Sequence, residues 1–166
     1  MLESTLPVVP RPFADEPLGG WIGRLAARYR MSVAEFAEQR WLEAELPLGS
    51  SWLLLPKLSD EGLQRLCGMT RVKLEVVREL EVPADWIAAI SFAKYCPTCL
   101  FVNPADVFSP RWIRAWLSPA AAHCNVHDRP LRKVSLKALA ACSNFDSVIR
   151  VASLEESRLR YCAQAR

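Results

Sequence analysis

Two short stretches, YCPTCL and CNVHDRPL, constrain the fold of this chain more than any other part of its sequence. The first places Cys96 and Cys99 in a C-x2-C spacing, and the second places Cys124 and His127 in a C-x2-H spacing. A gap of two residues lets one turn direct both side chains at a single ion. Two such turns supply four ligands, which complete a tetrahedral shell and leave no position for water. The spacing therefore predicts one structural zinc ion held by these four residues.

Alternatives to this zinc site stay open at the level of the sequence. The four residues could be buried thiols and a surface histidine, and His123 could replace His127 as the fourth ligand, although its spacing is poorer. The other cysteines, Cys67, Cys142 and Cys162, have no close partner along the chain, and we interpret them as packing thiols.

The sequence lacks the motifs that would accompany an enzymatic use of the C-x2-C stretch. A redox dithiol belongs after a strand in a βαβ unit, and the sequence indicates no such unit. A zinc deaminase needs H-x-E upstream of P-C-x-x-C, and no histidine precedes Cys96. No glycine-rich phosphate loop is present, and two histidines leave little for a catalytic triad. We therefore predict a protein that is not an enzyme, with a Cys96–Cys99 redox pair as the remaining enzymatic alternative.

Composition limits the class of protein further. Of the 166 residues, 51% are hydrophobic, which is enough for a packed core. No apolar run approaches the ~20 residues that span a bilayer, and the N-terminus lacks the pattern of a signal peptide. We therefore expect a cytoplasmic protein without a membrane partner, in which the six cysteines stay reduced and favour metal binding over disulfides.

Helical patterns dominate the first half of the chain. A helix is predicted from Pro17, with Asp15 as its cap, and its glycines would let another backbone approach closely. A capping box from Ser32 to Glu35 predicts a second helix that runs to about Arg40. Farther on, Ser59 starts a helix that ends at Gly68, and Thr70 caps the next one. This pair of helices around a short turn is typical of a helix-turn-helix.

The second half is richer in turns. The stretch RWIRAWL has the alternation of a strand, whereas SLKALAAC and SLEESRLRYC predict helices, the latter with a capping box from Ser153 to Glu156. The predicted fold class is thus mainly α with a small β-hairpin zinc finger and short C-terminal helices. We divide it into an N-terminal helical domain over residues 1–90 and a zinc-finger module over residues 91–166.

The uneven distribution of charge suggests nucleic acid as one partner. Residues 1–110 carry a balance of −3 and residues 111–166 a balance of +6, which fits either a nucleic-acid surface or a solvated basic face. In the helical pair, three glutamates would repel the DNA phosphates that the cations attract. A purely structural helical hairpin is therefore an equally open interpretation. The candidate nucleic-acid-binding residues are Arg71, Lys73, Arg78, Arg111, Arg114, Arg132 and Lys133.

Three stretches together resemble one known family. FADEPLGGWIGRLA is similar to the opening signature of TniQ-family transposition proteins, LQRLCGMT resembles their helix-turn-helix stretch, and YCPTCL with CNVHDRPL resembles their zinc finger. The matching positions run in the family's order from Pro7 to Leu131. The opening signature is carried by Glu16, Leu18, Gly20, Trp21, Arg24, Leu25 and Ala26.

The resemblance implies a non-catalytic adaptor in DNA transposition. Such proteins link a target-recognition module, which in some members is a CRISPR effector complex with guide RNA, or DNA itself, to an AAA+ ATPase. The N-terminal helical part would dock on the ATPase, with Trp21, Arg24 and Arg28 as candidate partner-binding residues. A second C-x2-C pair found in longer members is missing here, which predicts dependence on another factor for target choice. A small zinc-stabilised helix-turn-helix transcription regulator is the alternative.

Overall fold

The computed structural model describes residues 5–39, 51–88, 90–101 and 110–164, and its secondary structure is mainly helical. The predicted fold class is confirmed, because two short strands form an antiparallel hairpin beside a cluster of cysteine and histidine side chains. The α-helices are α1 (Leu18–Arg28), α2 (Val33–Gln39), α3 (Asp60–Thr70), α4 (Leu74–Glu79), α5 (Ala84–Ile87), α6 (Pro97–Phe101), α7 (Leu136–Ala140) and α8 (Phe145–Gln164). The strands are β1 (Phe92–Tyr95) and β2 (Arg132–Ser135).

Helix α1 is buried on most of its surface, as its apolar spacing predicts. Its N-cap residue is Pro17, which makes no side-chain capping bond, so the prediction that Asp15 caps this helix is wrong. The carboxylate of Asp15 is instead occupied by Arg111, at 2.8 Å from the Nε atom. The helix ends before Arg30, which adopts a left-handed conformation with φ of 56°.

The glycines of α1 allow the close approach that the sequence predicts. A Cβ atom on Gly19 would lie 2.1 Å from the carbonyl oxygen of Trp52, and one on Gly23 would lie 2.2 Å from the Trp52 ring. Trp52 belongs to a short 3-10 helix, Trp52–Leu54, whose side chains are all buried. The absence of side chains on these glycines therefore lets this segment pack directly on the backbone of α1.

The capping box of α2 is confirmed. The Ser32 hydroxyl accepts from the Glu35 amide at 3.1 Å, and the Glu35 carboxylate accepts from the Ser32 amide at 2.7 Å. The hydrogen bonds from Ser32 to its carboxylate lower the pKa of Glu35. The helix is described as far as Gln39, and the predicted end at Arg40 lies outside the described residues.

The helical pair α3–α4 is present, but its turn lies later than predicted. Ser59 caps α3 as expected, by accepting from the Gly62 amide at 3.0 Å. Gly68 does not end the helix, which continues to Thr70 and is stopped by Arg71 in a left-handed conformation. Thr70 does not cap α4 either, because its hydroxyl donates to the Leu66 carbonyl in the last turn of α3. The N-cap of α4 is Lys73.

The stretch RWIRAWL is not a strand. Its second part, Arg114–Leu117, forms a 3-10 helix, with Trp116 and Leu117 both buried. Two adjacent buried side chains do not fit the alternation of a half-buried strand. Strand β1 pairs with β2 instead, with Phe92 opposite Ser135 and Tyr95 opposite Arg132.

The C-terminal helices agree with the sequence in part. Ser135 caps α7 by accepting from the Ala138 amide, at 3.2 Å. The predicted capping box from Ser153 to Glu156 is wrong, because α8 runs unbroken through both residues. Its N-terminus is capped by Asn144, whose side-chain oxygen accepts from the Ser147 amide.

Buried side chains from both halves of the chain form one hydrophobic cluster. Direct hydrogen bonds connect the halves: the Trp52 indole donates to the Cys142 carbonyl at 2.8 Å, and the Val33 amide donates to the Ser143 carbonyl. The division near residue 90 stays a prediction. In this structure the core extends across it and places α8 against α1.

Candidate metal centre

The first half-site follows directly from the hairpin. Cys96 comes immediately after β1, and Cys99 lies in α6, whose Leu100 amide donates to the Cys96 carbonyl at 3.0 Å. This short helical turn places two side chains that are three positions apart on one side of the backbone. The sequence C-P-x-C therefore directs both sulfur atoms toward the second half-site.

The second half-site is a tight turn. The Asp128 amide donates to the Cys124 carbonyl at 2.8 Å, and the Cys124 amide donates to the Arg129 carbonyl at 2.9 Å. Asp128 has a φ of 43°, which is the left-handed conformation that aspartate tolerates better than most residues. These bonds bring Cys124 and His127 to the same side of the turn.

The two half-sites meet. The ligand atoms of Cys96, Cys99, Cys124 and His127 all lie within 4.8 Å of one another. The Nδ1 atom of His127 is 3.7, 3.2 and 3.7 Å from the sulfur atoms of Cys96, Cys99 and Cys124. A tetrahedral zinc with ordinary bond lengths separates sulfur from nitrogen by about 3.6 Å, so these residues could bind a metal ion.

The thiols of this cluster differ in their acidity. Burial, together with the neighbouring sulfur atoms of Cys124 and Cys96, raises the pKa of the Cys99 thiol far above its ordinary value. Burial also opposes ionisation of Cys124, but hydrogen bonds from the His127 ring and backbone outweigh it and lower its pKa to about 7. A bound metal ion would stabilise the thiolate form of its cysteine ligands and displace their protons.

The other cysteine and histidine candidates lie apart from this cluster. His123 is exposed and pairs with Pro130 in an isolated β-bridge, so His127 is the histidine that joins the three cysteines. Cys67 is half-buried, and Cys142 is buried with its thiol donating to the Ala138 carbonyl. Cys162 belongs to α8, but its side chain lies outside the described part of the chain.

One supporting residue was missed from the sequence. The Lys94 ammonium, on β1, donates to the carbonyl oxygens of Ser118, Pro119 and Ala121 at 2.9, 3.0 and 2.6 Å. Burial, and then the neighbouring Lys133, lowers the pKa of Lys94. The bonds fix the loop that leads into Cys124. No local pattern indicates this role, because the acceptors lie about 25 residues away along the chain.

The predicted nucleic-acid-binding residues of the helical pair are exposed. Lys73 is exposed at the start of α4, and Arg71 lies in the turn, where its guanidinium donates to the Thr5 hydroxyl at 3.3 Å. Arg78 pairs with Asp60 at 3.1 Å, and its side chain remains 54% exposed. A role of these residues in nucleic-acid binding stays a prediction.

The four predicted nucleic-acid-binding residues of the second half all contact other residues of the chain. Arg111 binds Asp15 and stacks on the Phe13 ring, 4.2 Å from its centroid. Arg114 donates to the carbonyl oxygens of Glu79 and Glu81. Arg132 lies 3.4 Å from Glu156, and Lys133 lies over the Phe92 ring. The last two side chains are on the exposed strand β2 and are the more accessible members of this group.

The predicted partner-binding residues of α1 differ in their accessibility. Trp21 is fully buried, and its indole donates to the Pro10 carbonyl at 2.9 Å. The Arg24 side chain is 9% exposed and binds Glu16 at 2.7 Å, whereas Arg28 is exposed. Arg24 and Arg28 both line a cleft of about 420 Å³. Contact with a partner through this face stays a prediction, in which Arg28 is the exposed member.

A comparison with models of known protein families gives a match. A family model described as TniQ matches residues 7–131, which is about three quarters of the chain and includes both α1 and the candidate metal centre. No curated protein and no solved structure matches the chain. Among the helices of the described residues, none has the length and apolar character needed to cross a bilayer.

Proposed function

The chain belongs to the TniQ family, and from this premise we propose that it is a non-catalytic, zinc-containing adaptor in DNA transposition. It would link a target-recognition module or target DNA to an AAA+ ATPase that regulates the transposase. The target-recognition module would be a CRISPR effector complex with guide RNA or another factor that recognises DNA. The family match carries this proposal, and we place the protein in the cytoplasm, where such machinery acts.

The chemistry of the four clustered ligands supports zinc as the metal. Three sulfur donors and one imidazole are a common ligand set of structural zinc sites, whereas magnesium and calcium prefer oxygen. When bound, zinc would be saturated by Cys96, Cys99, Cys124 and His127 and would supply folding free energy. These residues would hold β1, α6 and the turn at Asp128 together.

The alternative function, a helix-turn-helix transcription regulator, has weaker support. Helix α4 spans only Leu74–Glu79, and two of its six residues, Glu75 and Glu79, carry charge that DNA phosphates repel. Within the residues that the structure describes, no observation favours this function over the adaptor. We therefore retain it as an outcome of the experiment below.

A reconstituted transposition assay tests the proposal. The chain is combined with its candidate AAA+ ATPase, a transposase, a donor DNA and the target-recognition module. We expect insertion at the recognised target to depend on the chain, and the purified chain to bind the ATPase stoichiometrically. The proposal fails if the chain binds no ATPase and instead binds one DNA sequence tightly as a dimer, as a transcription regulator would.

A further inference from the structure

A cleft of about 680 Å³ borders the candidate metal centre, and its lining includes Cys99 and Cys124. It extends from the turn that carries Cys124 to the 3-10 helix Arg114–Leu117 and to Trp86 of α5. This volume falls within the range of sites that accept large side chains or small ligands.

Much of the lining of the cleft is apolar, although Ser118, His123 and Asn125 also contribute to it. Ala115, Ala120, Ala121 and Ala122 line it together with the ring of Trp116. Val126, at the tip of the metal-binding turn, also lines it, and 76% of this side chain is exposed. An exposed aliphatic residue next to an alanine-lined cleft leaves apolar surface in contact with water, and its burial by a partner would be favourable.

Both sides of the cleft are held in place by bonds already described. The Lys94 ammonium binds three carbonyl oxygens of residues 118–121, and the turn at Asp128 closes the segment that carries Val126. A bound metal ion would fix this turn further. A partner would therefore meet a preformed surface and would lose little free energy in ordering it.

The charge of the cleft favours protein over nucleic acid. Among the described residues that line it, Asp15 is the one carboxylate, and neither a lysine nor an arginine is present. Arg111 binds this carboxylate, but the Asp15 side chain remains 45% exposed, and its two oxygen atoms can accept further hydrogen bonds. A phosphate backbone would meet no lysine or arginine of the lining, whereas a basic side chain would meet an acceptor at Asp15.

We propose that this cleft docks a segment of a partner protein that inserts one bulky apolar side chain beside a lysine or arginine. The apolar side chain packs between the alanines and Val126, and the basic residue reaches Asp15. The proposal assigns this face of the metal-binding half to protein. It rests on the proposed adaptor function only for the identity of the partner.

A peptide display experiment tests the cleft independently of that partner. The zinc-loaded chain is panned against a random dodecapeptide library, and the selected peptides are measured against variants. We expect an aliphatic or aromatic residue near a lysine or arginine, and at least tenfold weaker binding to Val126→Asp. The matched control Val76→Asp changes an exposed valine on α4 and should bind like the wild type. The variant Asp15→Asn should weaken binding and reduce the preference for the basic residue.

Two further measurements keep the outcomes distinct. Each variant is checked for one zinc per chain, and Ala120→Trp, which fills the cleft from an exposed position, replaces Val126→Asp if the latter loses its metal. Failure to select peptides, or equal binding to the Val76→Asp and cleft variants, overturns the proposal. If the ATPase fails to bind the wild-type chain, the proposed function fails, while the peptide measurements still decide on the cleft.

Discussion

Cys99 offers a direct test of the metal centre, since its sulfur atom lies 3.2 Å from His127 Nδ1 and 3.6 Å from Cys124 Sγ. We expect Cys99→Ser to reduce the zinc content from one per chain to none. The segment 95–131 should lose its fold, because zinc binding in such sites contributes on the order of 10 kcal/mol. Elemental analysis and a thermal melt with and without chelator measure both effects. Cys67→Ser, outside the cluster, should keep zinc, and an unchanged melt of Cys99→Ser would contradict a structural metal.

The ion pair of Glu16 and Arg24 is a second residue-level feature with a measurable consequence. Glu16 is fully buried, and Arg24 binds both its oxygen atoms, at 2.7 and 2.9 Å. Arg24→Met should therefore cost about 3–5 kcal/mol, because it leaves a buried carboxylate without its partner. Glu16→Gln should cost less, since it removes the charge that burial disfavours. Urea unfolding measures both, and a larger loss for Glu16→Gln would contradict this order.

The same pair has a predicted pH dependence. Burial raises the pKa of Glu16 above 4.5, although Arg24 opposes the shift. In the folded protein Glu16 then retains a proton that the unfolded chain releases. The contribution of Glu16 to the free energy of unfolding therefore decreases as pH rises from 4.5 through the folded-state pKa. Glu16→Gln should remove this contribution. The difference in unfolding free energy between wild type and variant, measured at each pH, isolates it from other groups, and a constant difference would show that the pKa is not raised.

These residues mark the limit of inference from local sequence. The clustering of the four candidate metal ligands could be predicted because each half-site is a short turn whose spacing determines where both side chains point. The low accessibility of the Arg24 side chain could not be predicted, because it depends on contacts with Glu16 and with the preceding segment that carries Phe13. Arg24 is a predicted partner-binding residue, yet its side chain is only 9% exposed, so a substitution there would also disturb the buried pair with Glu16.

Among the helices, the N-terminus of α8 gives the sharpest test. The Asn144 side-chain oxygen accepts from the Ser147 amide, and its nitrogen donates to the Met31 carbonyl at 3.1 Å. Asn144→Ala should cost about 1 kcal/mol through the lost cap, and more through the lost bond to Met31. Asn144→Asp keeps the cap and loses only the donor, so thermal melts of the two variants separate the contributions. Ser153→Ala, inside the helix, should change little, and an equal loss there would contradict our assignment of the cap.

Capping motifs show why elements could be predicted only in part. Ser32 to Glu35 and Ser153 to Glu156 carry the same local pattern, yet only the first starts a helix. The residues before each serine explain the difference. Arg30 has a positive φ and ends the preceding helix before Ser32, whereas residues 145–152 are already helical before Ser153. Strand β2 was missed for a related reason, because its partner β1 lies about 40 residues earlier.

Across the whole molecule, the remaining question is whether the two halves unfold together. The division near residue 90 rests on a change in sequence pattern, whereas the buried cluster, the Trp52–Cys142 hydrogen bond and the contact of α1 with α8 cross it. Loss of stability at the metal centre should therefore also destabilise α1. This coupling depends on packing between residues far apart in the chain. No local motif indicates such packing, so the coupling could not be predicted from the sequence alone.

Hydrogen exchange with and without chelator measures this coupling. Removal of the metal should first expose the amides of β1 and β2, which are adjacent to Cys96 and Leu131. We also expect lower protection in α1, because α8 would lose its support from β2 and from Tyr95, whose hydroxyl donates to the Ala152 carbonyl at 3.1 Å. Full protection of α1 after chelation would instead establish two independently stable units. The boundary predicted near residue 90 would then be a physical one, and the shared core would contribute little to stability.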